Sequence, residues 1–160
     1  MPPPAPTPGE TAPDFTLRTQ HGETVRLADH RGPDGTPVLL VFFPFAFTSV
    51  CTAELQALRA AEEELKDADG RPARLLAVSC DPMQSLRAFA DQEAFDFPLL
   101  SDFWPHGNVS RAYGVFDEDK GCAVRGSFVI DRHGVVRWTV VNGLPDARDK
   151  DEYVKALAGL

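Results

Sequence analysis

"VLLVFFPFAFTSVCTAELQAL", Val38 to Leu58, decides the fold. Its first six residues are all apolar, and four of them (Val38, Val41, Phe42 and Phe43) are β-branched or aromatic. That composition suits a central strand buried on both faces. Pro44 ends the run because it has no N–H for a sheet ladder. From Cys51 the spacing changes. Leu55, Leu58, Ala61 and Leu65 follow at intervals of three and four, which predicts an amphipathic helix with Glu62, Glu63 and Glu64 mostly outward. The stretch is therefore a strand, a short turn and a helix, with a thiol at the helix start.

Working outward, "DFTLRTQHGETVRL" predicts an N-terminal β-hairpin, Asp14–Arg18 and Glu23–Leu27, turning at His21-Gly22. "RLLAVS" (Arg74–Ser79) is a second buried strand. Asp81-Pro82 reads as an N-cap and first position of a helix running to about Ala94. "FPLLSD" is extended and "GNVSRAYGV" a short helix. "GSFVID" and "VVRWTVV" flank a turn at Arg132–Gly134 and predict a second hairpin. "DKDEYVKALAGL" closes the chain as an amphipathic helix. Strand–helix–strand requires a parallel pair with a right-handed crossover. The order predicts an α/β, thioredoxin-like fold: a mixed central β-sheet flanked by helices, with an N-terminal hairpin. Residues 1–9 are proline-rich and read as a flexible tail, and residues 10–160 as a single domain.

Composition narrows the function. The net charge of −8 argues against nucleic acid, whose phosphates need clustered Lys and Arg. No run of eighteen apolar residues suggests a membrane span, and the N-terminus does not read as a secretory signal. The three cysteines, Cys51, Cys80 and Cys122, are irregularly spaced, which is no disulfide framework. A reducing cytoplasm is the expectation. The histidines are scattered, and no metal or cofactor site is expected.

Cys51 is expected just beyond the C-terminal end of a central parallel strand, where open sheets hold their reactive crevices. It also falls in the first turn of a helix, whose free N–H groups favour a thiolate. Thr48 or Ser49 is placed to cap that helix. A single cysteine in an apolar pattern is otherwise a small buried hydrophobe. Thr48, one turn upstream, offers a hydroxyl that both donates and accepts.

Pro44, Thr48 and Cys51 together spell P-x-x-x-T-x-x-C, which resembles the active-site motif of peroxiredoxins. "APDFTL" (Ala12–Leu17), "FPLLSDFWPHGNVSRAYGVF" (Phe97–Phe116) and "RGSFVID" (Arg125–Asp131) resemble further blocks of that family, in order. "LLSDFWPHG" is similar to its AhpE-like one-cysteine subfamily. The resemblance implies a thiol-dependent peroxidase. Cys51 would be the peroxidatic cysteine, oxidised to a sulfenic acid. Thr48 would orient the peroxide, Pro44 would shield the thiolate, Arg125 would be the active-site arginine and Glu54 would hold it. Without the resemblance, Arg125 reads as a surface residue beside a strand and Glu54 as an ordinary exposed helix residue.

The resemblance also implies a peroxide substrate, a small thiol or a thioredoxin- or mycoredoxin-type reductant, and a homodimer. Cys80 ends the strand parallel to Val38–Phe43, so it is weighed as an internal resolving thiol against a packing role. Cys122, just before Arg125, is expected to be exposed and mobile. Trp104 and Trp138 are expected to pack, and His106 is not needed as a base. Two other readings share the Cys51 site: a thioredoxin-fold thiol–disulfide oxidoreductase and a non-catalytic redox sensor. The lack of a second cysteine three residues from Cys51 counts against the first.

Overall fold

The apolar run at the centre becomes strand β3 (Val38–Phe42), and every residue in it is buried. A computed structural model describes residues 3–160, and the structural statements here concern those residues. Before β3 come the hairpin strands β1 (Thr16–Arg18) and β2 (Thr24–Arg26). After it come α1 (Ser49–Ala60), β4 (Arg74–Ser79), α2 (Met83–Glu93) and β5 (Leu99–Ser101). Then follow α3 (Asn108–Ala112), a small ribbon of β6 (Phe116–Asp117) and β7 (Cys122–Ala123), the hairpin β8 (Arg125–Ile130) and β9 (Val136–Asn142), and α4 (Lys150–Ala158).

Among the described residues the main sheet has the order β2-β1-β5-β4-β3-β8-β9. β3 pairs parallel with β4 and antiparallel with β8, in register Leu40↔Leu76 and Leu40↔Phe128. β3 is thus central, which explains its unbroken apolar sequence. Alternate residues feed two cores. Leu39, Val41 and Phe43 face α1, α2 and α4 through Leu55, Phe89 and Leu157. Leu40 and Phe42 face the opposite side with Tyr113 and Phe128. The ring of Tyr113 lies 5.4 Å from that of Phe42 and 5.0 Å from that of Phe128.

Several details depart from the expectations. The helix after Cys51 stops at Ala60, and Glu62–Glu64 form a single 3-10 turn. Asp81 does not cap α2. Pro82 occupies the cap position, and the Asp81 carboxylate binds elsewhere. The β6–β7 ribbon was not anticipated, because two residues per strand carry no readable period. The proline-rich composition of residues 1–9 predicts a flexible tail; Met1 and Pro2 lie outside the described residues. From Ala5 the segment lies against the protein. Pro6 is buried, Ala5 packs on the second core, and the Gly9 N–H donates to the Val136 carbonyl at 2.8 Å.

Candidate active site

Pro44 leaves β3 buried, and the turn it starts crosses the end of the sheet to Thr48, the cap residue of α1. Phe47 within that turn adopts φ +68, a left-handed conformation that costs a non-glycine residue backbone energy. Cys51 is the third residue of α1 and is fully enclosed at 0% exposure. Its N–H belongs to the first turn, where helix donors lack internal partners and the helix presents its positive end.

The Arg125 guanidinium donates from Nη1 to Cys51 Sγ at 3.3 Å. Arg125 is the first residue of β8 and is itself buried, so it is not the surface arginine that its sequence context suggested. Its Nε donates to the Leu144 carbonyl at 2.6 Å. Its Nη1 also meets Glu54 Oε1 at 2.6 Å. Glu54 is 7% exposed, which overturns the exposed-helix reading. It lies one turn beyond Cys51 on the buried side of α1, and its charge is tolerated there because two arginines flank it.

The second of these is Arg148, which the sequence reading missed. Arg148 donates to Glu54 Oε2 from its backbone N–H at 2.7 Å and from Nε at 2.9 Å, and to Oε1 from Nη2 at 2.9 Å. Its Nη1 donates to the carbonyls of Phe42 and Gly126 and to Ser127 Oγ, at 2.7, 2.9 and 3.0 Å. The Ser127 hydroxyl in turn pairs with that of Tyr153 on α4, 2.7 Å away. Burial alone would push the Glu54 carboxyl up. The hydrogen bonds and charge of Arg148, with the charge of Arg125, outweigh it and hold Glu54 below the ordinary glutamate value.

Thr48 is exposed at the mouth of the enclosure. Its hydroxyl makes no side-chain cap for α1; it donates to the Phe45 carbonyl at 2.8 Å, which leaves its oxygen lone pairs available as acceptors. The structure therefore brings Arg125 into contact with both Cys51 and Glu54, with Pro44 and Thr48 on the connecting turn.

Residues 8–139 match the AhpC/TSA family. The chain belongs to the AhpC/TSA peroxiredoxin family. This peroxiredoxin is 47% identical to alkyl hydroperoxide reductase E of Mycobacterium tuberculosis, over 95% of its own length and 96% of the relative's. Two solved structures resemble it at a TM-score of 0.81 each. Peroxidoxin BcpB of Mycobacterium tuberculosis is 31% identical, over 95% of this chain and 96% of that one. The reduced 2-Cys peroxiredoxin of Plasmodium vivax is 29% identical, over 95% and 81%. The fold is thioredoxin-like, as the element order predicted.

The other two cysteines of this peroxiredoxin take no part in the Cys51–Arg125 hydrogen bond, although Cys122 is near enough for the charge of Cys51 to help raise its thiol. Leu76 and Val78 of β4 point to the second core, and Cys80 continues their alternation away from α1. Its Sγ lies 3.9 Å from Ser110 Oγ of α3. Burial, with the nearby charge of Asp102, pushes its thiol up to about 12. Cys122 is not exposed as expected. It is 0% exposed in β7, and burial, then Asp117, pushes its thiol up. Trp104, expected to pack, is instead 81% exposed. Trp138 packs edge-on against Tyr153, with ring centroids 5.7 Å apart.

Proposed function

We propose that this thiol-dependent peroxidase acts through Cys51, with Arg125, Thr48, Pro44 and Glu54 arranged around it. The observation that carries the reading is the 3.3 Å contact between Arg125 Nη1 and Cys51 Sγ, both of them buried. The sulfur attacks the terminal oxygen of a hydroperoxide. An S–O bond forms as the O–O bond breaks in line. The electron pair leaves on the distal oxygen, which takes up a proton and departs as water or an alcohol. Negative charge thus moves from sulfur to the leaving oxygen. A fixed guanidinium beside that path stabilises the charge where it develops and needs no reorganisation. The Thr48 lone pairs accept the peroxide O–H and set the line of attack. Pro44 walls the sulfur without adding a donor. Glu54 holds Arg125 in register.

Cys51 is left as a sulfenic acid. A thiol from outside condenses with it, releasing water and forming a mixed disulfide; a second thiol then restores Cys51. A small thiol or a thioredoxin- or mycoredoxin-type protein fits this role. The positions of Cys80 and Cys122, both buried and with thiols that burial pushes up, support an external reductant over an internal one. A homodimer is part of the proposal, supported by the exposed rings of Phe45, Phe47, Phe103 and Trp104; light scattering tests it. A cytoplasmic location accords with three free thiols. No helix among the described residues is long and apolar enough to cross a membrane.

The test is stopped-flow oxidation with hydrogen peroxide, organic hydroperoxides and peroxynitrite, followed by mass spectrometry after one equivalent. The expected product is one added oxygen on Cys51, with the reaction lost in Cys51→Ser. Peroxide consumption by Cys51→Ser would overturn the assignment. A Cys51–Cys80 disulfide in the monomer would overturn the external reductant, and a wild-type rate no faster than that of a free thiol would indicate a sensor.

A further inference from the structure

The two half-reactions make opposite demands on the turn between β3 and α1. Attack on peroxide uses the closed site, because the Arg125–Cys51 contact exists only when the first turn of α1 is seated. Reduction needs the site open. A reductant must bring its own sulfur to bonding distance, about 2 Å, from Cys51 Sγ. Cys51 is fully enclosed, so that approach requires residues 44–51 to move.

Pro44 and Ala46 are buried, but few hydrogen bonds hold the turn shut. Pro44 has no N–H to give, and Phe47 carries an unfavourable left-handed φ of +68. The Thr48 hydroxyl binds within the turn itself, to the Phe45 carbonyl. The Phe47 ring is half-exposed and leans on Phe89 of α2, with ring centroids 5.2 Å apart. Among the described residues, one side chain from another element grips the backbone of the turn. Asp81 Oδ2 accepts the Ala46 N–H at 2.9 Å. That carboxylate is fixed in advance. The Ser79 hydroxyl donates to the same oxygen at 2.6 Å, and the Ser101 hydroxyl donates to the Asp81 backbone carbonyl at 2.6 Å. Asp81 is thus anchored to the ends of β4 and β5, and its spare function is to hold Ala46.

We propose that the Asp81 carboxylate is the latch of the active-site turn: it holds the peroxide-reactive form closed, and its release exposes oxidised Cys51 to the external thiol. Asp81 is a positioning residue that touches neither peroxide nor sulfur, and the proposal rests on Cys51 being the oxidised thiol. It sets the balance between the half-reactions. A tighter latch prolongs the sulfenic acid in a closed site and favours further oxidation by a second peroxide, whereas a looser latch favours reduction.

The experiment compares wild type, Asp81→Ala and Asp81→Asn in two rapid-mixing reactions: hydrogen peroxide with the reduced protein, and 5-thio-2-nitrobenzoate, a coloured aromatic thiol, with the sulfenic form. Losing a hydrogen bond to a charged acceptor is expected to raise the open population, and with it the thiol rate, by about tenfold or more in Asp81→Ala. The peroxide rate stays level or falls. Asp81→Asn, whose amide oxygen still accepts the Ala46 N–H, lies between. A general loosening of the fold would not separate the two rates in opposite directions. A thiol rate in Asp81→Ala equal to or below wild type, or an equal rise in both rates, overturns the latch. If Asp81→Ala does not fold, Asp81→Asn decides: a thiol rate raised at least about threefold supports the latch, and a wild-type rate overturns it. If wild type itself yields no sulfenic acid at Cys51, the functional assignment fails instead of the latch.

Discussion

Glu54→Gln is the most informative single change at the site. Glu54 accepts four hydrogen bonds, two on each oxygen. Oε1 takes Arg125 Nη1 and Arg148 Nη2, and Oε2 takes the backbone N–H and Nε of Arg148. Glutamine keeps the shape but offers one oxygen. Whichever way its amide is turned, its NH2 group meets two donors, so half the bonds become donor–donor contacts. Two buried guanidinium groups also lose their shared countercharge. At this separation each pair is worth about 4 kcal/mol gross at an effective dielectric constant of 20, before the carboxylate's own desolvation is set against it. Breaking a buried pair from one side costs about 3–5 kcal/mol net, and that is the stability loss expected in urea titrations at neutral pH.

The rate should fall much less. Arg125 keeps its second anchor, the Leu144 carbonyl at 2.6 Å, so its head group stays near Cys51. Peroxide oxidation of Glu54→Gln, followed by stopped flow, should slow by about tenfold, the effect of a looser but still present charge. A stability loss below about 1 kcal/mol would show that the carboxylate does not balance the two arginines. A rate loss as large as that of Arg125→Met would show that Glu54, not Leu144, fixes Arg125.

The same carboxylate sets an acid limit. Its folded value lies below the ordinary 4.5, so its contribution is fully present above that pH and is lost as pH falls through the folded value. Wild type should weaken on acidification below pH 4.5 by a component that Glu54→Gln lacks, measured by thermal melts across pH. Thr48→Val should slow oxidation by about a hundredfold with little change in stability, because Thr48 is exposed; Thr48→Ser should recover most of the rate. The double variant Cys80→Ala, Cys122→Ala should turn over peroxide at the wild-type rate with an external thiol, and lost turnover would reinstate an internal resolving cysteine. Gly107→Ala should cost upward of about 1 kcal/mol by denaturant titration. Its Cβ would fall 2.2 Å from the Phe116 ring, at a φ of +73.

Long-period signals were legible in the sequence and contacts between distant loops were not. β4 matches its predicted bounds and β3 ends one residue early, because a buried strand advertises itself as a continuous apolar run. Cys51 was legible because its motif is local. The buried state of Glu54 was also within reach. Residues 51, 54, 55 and 58 share one helix face, and a carboxylate on an apolar face implies a partner cation. Arg148 had no such signal. It stands in an irregular stretch among acidic residues, where an arginine normally faces water. Its role depends on the folded chain bringing it to a residue 94 positions earlier. Cys122 and Trp104 exchanged their expected places for the same reason, since burial in short ribbons and loops is decided by what packs over them.

That long reach has a consequence for how the site holds together. Arg148 ties Glu54 of α1 to the Phe42 carbonyl at the end of β3 and to Gly126 and Ser127 of β8. Those are the elements that carry Cys51 and Arg125. Arg148 also immediately precedes the capping residue of α4, where Asp149 accepts the Asp151 N–H, and Tyr153 of that helix pairs with Ser127. Docking of the C-terminal helix and alignment of Arg125 against Cys51 are therefore parts of one cooperative unit. The turn from Pro44 to Thr48 stands outside it, held at Ala46 by Asp81 from the ends of β4 and β5. On the proposed reading the site joins a rigid half, Glu54 with Arg125 and Arg148, to a lightly fastened half, residues 44–51, whose movement would leave the pairing of Glu54 with the two arginines in place. If Cys51 is the reacting thiol as proposed, enclosing a small peroxide and then admitting a larger thiol at the same sulfur calls for that division.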